Sequence, residues 1–153
     1  MIINWEAIGA LAEGLGAVGV IATVIYVALQ IRHNSEAVRG STEHALISQE
    51  MSLAALIAEH ANIYRRGQKN IDELDADEVV VFEHLVIASM SILYSAFAQY
   101  KRGLIPESTW HAYLTDWPNY INQPGFQAQW KQLKNSYPPE FIDSLDNAST
   151  STG

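Results

Sequence analysis

Residues 14–29 form an uncharged apolar run, and no other feature of the chain narrows its possible folds as much. As a helix, a run of that length rises about 24 Å, short of the roughly 30 Å hydrocarbon core of a bilayer. Extending it back through Glu13 to Ala7 brings the length to about 34 Å. Trp5 and Tyr26 then lie about 32 Å apart along the axis, where aromatic belts mark the two membrane interfaces. Glu13 is the only charged side chain within residues 7–31. The expectation is one N-terminal transmembrane helix over residues 7–31, which reaches across a bilayer only by carrying Glu13 inside.

Other readings of this segment meet specific objections. A cleaved signal peptide needs a basic start and a small-residue cleavage site behind the apolar run. No Lys or Arg stands before residue 32, and residues 27–32 offer no such site. A surface amphipathic helix lacks its polar face. A buried core helix of a soluble protein stays open, because glycines are tolerated there too. Arg32 and Arg39 follow the run, so the positive-charge bias places the rest of the chain in the cytoplasm, with Trp5 and Tyr26 as interface anchors and Arg32 at the cytoplasmic end.

A second apolar stretch, residues 79–98, holds Glu83, His84, Ser89, Ser91 and Ser95. Were it to span, its acidic flank would lie inside and Lys101-Arg102 outside, against the usual bias. It reads instead as the central buried helix of a soluble domain. That domain covers residues 34–146, behind an anchor at 1–33 and ahead of a small polar tail at 147–153, expected to be disordered.

Within the domain the breaks are short. Asn34 and Ser35 are candidate caps of a new helix with Glu36 in its first turn. Gly40 bends or interrupts that helix, which runs to about Arg66 and stops at Gly67. Residues 75–78 resemble an acidic capping box, and the sequence Tyr100-Lys101-Arg102-Gly103 makes a helix C-terminus. Pro106 and Pro124 suit first helical turns. Trp110, Tyr113, Trp117 and Tyr120 share one face, as do Phe126, Trp130, Leu133 and Tyr137. A short last helix covers residues 140–145. Sustained alternation is absent, so the fold class is all-α: one N-terminal transmembrane helix followed by a bundle of about four to five helices. The aromatic stripes read first as core facing residues 79–98, and second as the lining of a ligand pocket.

Chemistry is sparsely marked. With 17 acidic and 9 basic residues, a net charge of −8 and no basic stripe, nucleic acid is not an expected partner. There is no cysteine, which excludes disulfides and thiolate sites. His33, His44, His60, His84 and His111 form no Glu-x-x-His pair of the kind that builds metal sites in bundles. Glu107 and His111 are four apart, and the adjacent pairs Glu43-His44 and Glu83-His84 diverge by about 100° on a helix. No nucleophile elbow, phosphate loop or dinucleotide fingerprint occurs. No metal or cofactor is expected, and an enzyme is unsupported.

Glu13 carries the most information. A carboxylate at the centre of a spanning helix costs about 2.5–3.5 kcal/mol on insertion scales. It lies about 12 Å from Trp5 along the axis and can snorkel outward, take up a proton or bond to a neighbouring helix. Gly9, Gly16 and Thr23 repeat at seven, as do Ala12, Gly19 and Tyr26. Ala12 and Gly16 make a small-xxx-small pair that lets helix backbones approach. Glu13 sits among them, so the span reads as an assembly face: Gly9, Ala12, Glu13, Gly16, Gly19 and Thr23.

The residues Asn4-Trp5-Glu6-Ala7-Ile8, the junction Tyr26-Val27-Ala28-Leu29-Gln30-Ile31-Arg32-His33-Asn34, and Ala37-Val38-Arg39 resemble an uncharacterised family of short bacterial membrane proteins. So do Tyr100-Lys101-Arg102-Gly103-Leu104, Trp110, Gln123-Pro124-Gly125-Phe126 and Trp130. The resemblance implies a membrane anchor ahead of a helical domain and brings no activity with it. His33 and Ser35 depart from its usual polar residues.

Two functional expectations follow. The first is a non-catalytic membrane subunit at the bacterial inner membrane, either a homo-oligomer or an accessory protein of a larger complex. Its partners would be the lipid bilayer and itself or another membrane protein. The second is a membrane-tethered sensor or enzyme whose cytoplasmic bundle binds a small molecule.

Overall fold

A computed structural model describes residues 5–150, with the side chains of 5–8, 10–12 and 150 outside the described residues. Every element is helical, in the order α1 (Trp5–Glu59), α2 (Ala61–Lys69), α3 (Ala76–Lys101), α4 (Glu107–Ile121), α5 (Pro124–Leu133) and α6 (Pro139–Thr150). Short 3-10 turns at Ile71–Glu73 and Lys134–Ser136 complete the described elements. The chain divides into two compact units, Met1–Gly40 and Ser41–Gly153.

Within the first unit, α1 runs without the interruption expected at Asn34 and Ser35. Ser35 is an interior residue whose Oγ donates to the Ile31 carbonyl at 2.9 Å. Arg32 Nε donates to Glu36 Oε1 at 3.0 Å, an i,i+4 ion pair bracketing the proposed cap. Gly40 does not interrupt the helix either, and a Cβ placed there would meet nothing within 4 Å.

The second unit builds its core around one face of α3. Phe82, Val86 and Met90 are at most 1% exposed, and Phe97 is buried farther along the same helix. Spacings of four and seven keep these residues in one stripe. On the opposite side Val80 is 51% exposed, so α3 is buried along a face rather than all round. Each large apolar side chain withdrawn from water contributes roughly 1.5–3 kcal/mol.

The ends of α3 follow the sequence closely. The Asp75 carboxylate accepts from the Asp77 and Glu78 amides, while Glu78 Oε2 accepts from the Asp75 amide, a complete capping box. Arg66 also pairs with Glu78, tying α2 to this end. At the C-terminus Gly103 has φ +69, its N–H donates to the Tyr100 carbonyl, and that of Leu104 to the Gln99 carbonyl. That is a Schellman stop, which favours glycine because of the positive φ.

Aromatic side chains join the remaining helices to α3. Phe97 meets Trp110 of α4 at 5.4 Å between ring centroids and Phe141 of α6 at 5.3 Å. Trp117 of α4 meets Trp130 of α5 edge-on at 5.5 Å. The two stripes read from sequence are thus mainly core, with Trp110, Trp117, Phe126 and Trp130 all buried. Pro106 occupies the cap position of α4 rather than its first turn, Pro124 opens α5, and Pro118 lies inside α4.

Three features differ from the sequence expectation. The helix expected to reach Arg66 turns instead at His60, although the His60 N–H still donates to the Leu56 carbonyl and its own carbonyl accepts from Tyr64. Gly67 is then interior to α2, not its stop. A Cβ at Gly67 would lie 2.5 Å from Phe82 Cδ2, and one at Gly125 would lie 1.8 Å from the Gly67 carbonyl oxygen. Both glycines are there for close helix approach. Finally, α6 extends past residue 146 to Thr150, where a disordered tail was expected to begin. Ser149 explains the extension: its hydroxyl accepts from Trp117 Nε1 at 3.0 Å and donates to the Leu145 carbonyl. Residues 151–153 lie outside the described residues.

Gly125→Ala should destabilise the domain by at least about 1–3 kcal/mol, the usual cost of overpacking, because the neighbouring atom is backbone and cannot rotate away. Gly40→Ala, in open space on a helix, should instead stabilise by about 0.5–1 kcal/mol. Chemical unfolding followed by circular dichroism measures both; equal effects would refute the close-approach account.

Candidate functional site

Two regions offer function, one in each unit. In the first unit the apolar helix is bare. Leu15, Val18, Ile21, Val24 and Ile25 are each at least 55% exposed, and none of the apolar window of this helix is buried within the chain. Gly9, Glu13, Gly16, Gly19 and Thr23 are exposed, as are Tyr26 and Arg32. The assembly residues fall within an arc of about 120° at 100° per residue. Cβ atoms at Gly9, Gly16 and Gly19 would meet nothing within 4 Å. Thr23 satisfies its own hydroxyl by donating to the Gly19 carbonyl at 2.8 Å. Ala12 and Trp5 lie on α1, with their side chains outside the described residues. Among the described residues two helices, this one and α3, are long and apolar enough to cross a membrane.

The second region is a cavity of ≈ 490 Å³ inside the second unit. Its floor is Met90, Trp117 and Phe126, each no more than 2% exposed. Leu53 and Ile57 of α1 and Leu93 of α3 form apolar walls, while Tyr64 and Gln68 enter from α2. Ala54 of α1 and Ser89 and Ile92 of α3 also line it, and Glu50, Tyr113, Asp116 and Tyr120 complete the lining; Glu50, Asp116 and Tyr120 are exposed and Tyr113 half-buried. The helical spacing of Tyr113, Asp116, Trp117 and Tyr120 places all four on one side of α4.

The electrostatics of the lining are one-sided. It contains two carboxylates, Glu50 and Asp116, and no Lys, Arg or His. Among the described residues neither carboxylate takes part in an ion pair. Tyr113 donates its hydroxyl to Glu50 Oε1. Burial raises the Tyr113 phenol well above its ordinary range, and the hydrogen bond to Glu50 adds to this. Tyr120 is raised by burial and by the nearby Asp116 and Glu50. Burial also pushes Tyr64 up to about 12. The three phenols therefore stay neutral donors through the ordinary pH range.

Sequence reasoning reached part of this site. The α4 stripe and Phe126 read as core or pocket lining: Trp117 and Phe126 are both, Trp110 is core alone, and Tyr113 and Tyr120 line the cavity. Glu50, Tyr64, Gln68 and Asp116 carried no local signal, since their convergence depends on how α1, α2 and α4 pack. His84, within the apolar stretch 79–98, is exposed with Nδ1 2.8 Å from the Val80 carbonyl of its own helix. Glu107 and His111 pair at 3.7 Å on the surface of α4. Among the described residues no three His, Asp or Glu side chains converge as a metal site would need. Comparison with protein families, with curated proteins and with solved structures finds no match to this chain.

The raised phenols set a pH dependence. Because the folded state favours the neutral form of Tyr64, its contribution to stability is complete below pH 10 and is lost as pH climbs through about 12. Phenolate absorbance should therefore rise late and together with loss of helical circular dichroism. Tyr64→Phe should remove one late-ionising group; an unchanged titration would refute its burial.

Proposed function

We propose that the chain is a membrane-anchored assembly protein, held in the bacterial inner membrane by the N-terminal part of α1 and associating there through its small-residue face. One observation carries the reading: the apolar window near the N-terminus is entirely uncovered within its own chain. Exposed contiguous apolar surface of this kind marks a membrane or an interaction site. A spanning helix needs about 20 apolar residues, and residues 7–31 supply them with Glu13 as the sole charge. In this reading α3, whose Phe82 and Val86 are fully buried, is a core helix, giving a single pass.

Glu13 supports assembly over a lone anchor. Its carboxylate is costly in hydrocarbon unless it snorkels or meets a donor. Gly9, Gly16 and Gly19 leave room beside it for a second backbone. The partner is a second copy of this helix or a helix of a larger membrane complex. Arg32 and Arg39 beyond the apolar run support a cytoplasmic helical domain, residues 34–146.

The absence of cysteine allows a clean topology test. An impermeant maleimide should label Asn4→Cys in cells with a permeabilised outer membrane, and Glu107→Cys only after lysis. Recovery of the chain in the soluble fraction would sink the anchor, and the reverse labelling would overturn its orientation. Gly16→Leu should shift the mass measured in mild detergent toward the monomer; an unchanged mass would remove the small-residue face from the argument.

The cavity favours a second reading, a tethered domain that binds a small molecule. Its volume falls within the roughly 300–1,000 Å³ of ordinary ligand sites. Apolar floor and convergent polar rim are the usual composition of such a site.

A further inference from the structure

We infer that the cavity of the second unit takes an organic cation: an amine or quaternary ammonium group on an apolar body. The inference rests on the small-molecule reading and adds the ligand's chemistry to it. A floor of Trp117, Phe126 and Met90 offers apolar surface that water solvates poorly. The lining adds Glu50 and Asp116 and supplies no basic side chain to balance them. An anionic ligand would face uncompensated repulsion there, whereas a cation brings the missing charge.

The aromatic groups point the same way. Faces of Tyr and Trp attract cations within about 6 Å of the ring centroid, by about 0.5–2 kcal/mol depending on desolvation. Tyr64, Tyr113, Tyr120 and Trp117 all line the space. The hydrogen bond from Tyr113 to Glu50 fixes a carboxylate at the hydroxyl end of an aromatic ring across two helices, α4 and α1. Such a pair presents a negative oxygen and a ring to the same volume, which suits an ammonium head. The apolar body then reaches Met90 and Phe126.

Three probes share one bicyclic body and differ in charge: 1-naphthylmethylamine, 1-naphthalenemethanol and 1-naphthylacetate. Calorimetric titration of the full chain in an uncharged maltoside detergent should show the amine binding at least tenfold more tightly than the acetate. Glu50→Gln combined with Asp116→Asn should erase that preference while the alcohol still binds. Ala54→Phe, which fills the cavity from α1, should abolish binding of the amine; circular dichroism and thermal melting establish that each variant is folded. A preference unchanged in the double variant, or amine binding unaffected by Ala54→Phe, overturns the inference. If the alcohol or acetate binds as tightly as the amine and Ala54→Phe removes it, the small-molecule reading stands and the cation inference falls. If none of the three binds, both fall.

Discussion

The domain depends on one backbone contact. Gly125 of α5 lies so close to the Gly67 carbonyl of α2 that no side chain fits between them. Gly67 in turn leaves no room for a Cβ beside the ring of Phe82 on α3. Three helices therefore meet at a point where two residues must lack a Cβ and the third is an aromatic ring. Close packing of this kind transmits position rather than absorbing it, because interiors are nearly as dense as organic crystals. Phe82 is fully buried as a result.

What that contact positions is the site. Phe126 follows Gly125 directly and floors the cavity, and Gln68 follows Gly67 directly and lines it. Tyr64, three residues before Gly67 on α2, packs on Phe82 at 6.1 Å between centroids and also faces the cavity. Drawing α2 and α5 together fixes the floor from two sides, while α4 closes a third side through Trp117. Trp117 is held in turn by Trp130 at one ring edge and by Ser149 at its indole nitrogen. The hollow is thus framed by fixed groups.

The sequence made the helices legible and left their junctions obscure, for a physical reason. Capping at Asp75 and the glycine stop at Gly103 are local devices, satisfied by residues within a turn, and both are readable without the fold. Gly67 carries the same letter as Gly103 but serves packing, which depends on Phe82 and Gly125, residues 15 and 58 positions away. Asn34 and Ser35 looked like caps because a cap needs only a short polar side chain. Here Ser35 bonds back to Ile31 and Arg32 reaches Glu36, so the helix continues. For the site the aromatic stripe gave a face, and only tertiary packing gave the acids that share it. Glu50 and Tyr113 stand 63 residues apart and meet through helix packing alone.

The cavity also explains why its polar groups sit where they do. An apolar hollow left to water forfeits dispersion contacts along its walls, and filling it with a larger core side chain would restore them. Here that remedy would bury the Tyr64, Tyr113 and Tyr120 hydroxyls and the two carboxylates, each at a cost of a few kcal/mol if unpaired. Tyr113 and Glu50 already answer one another. Asp116, exposed at the rim on α4, has no cationic partner among the described residues. A ligand that covers Trp117 and brings a positive charge to the rim would recover apolar contact and answer that charge in one step. Neither a hydrocarbon nor an anion can do both, and this is why the charge of the ligand follows from the lining.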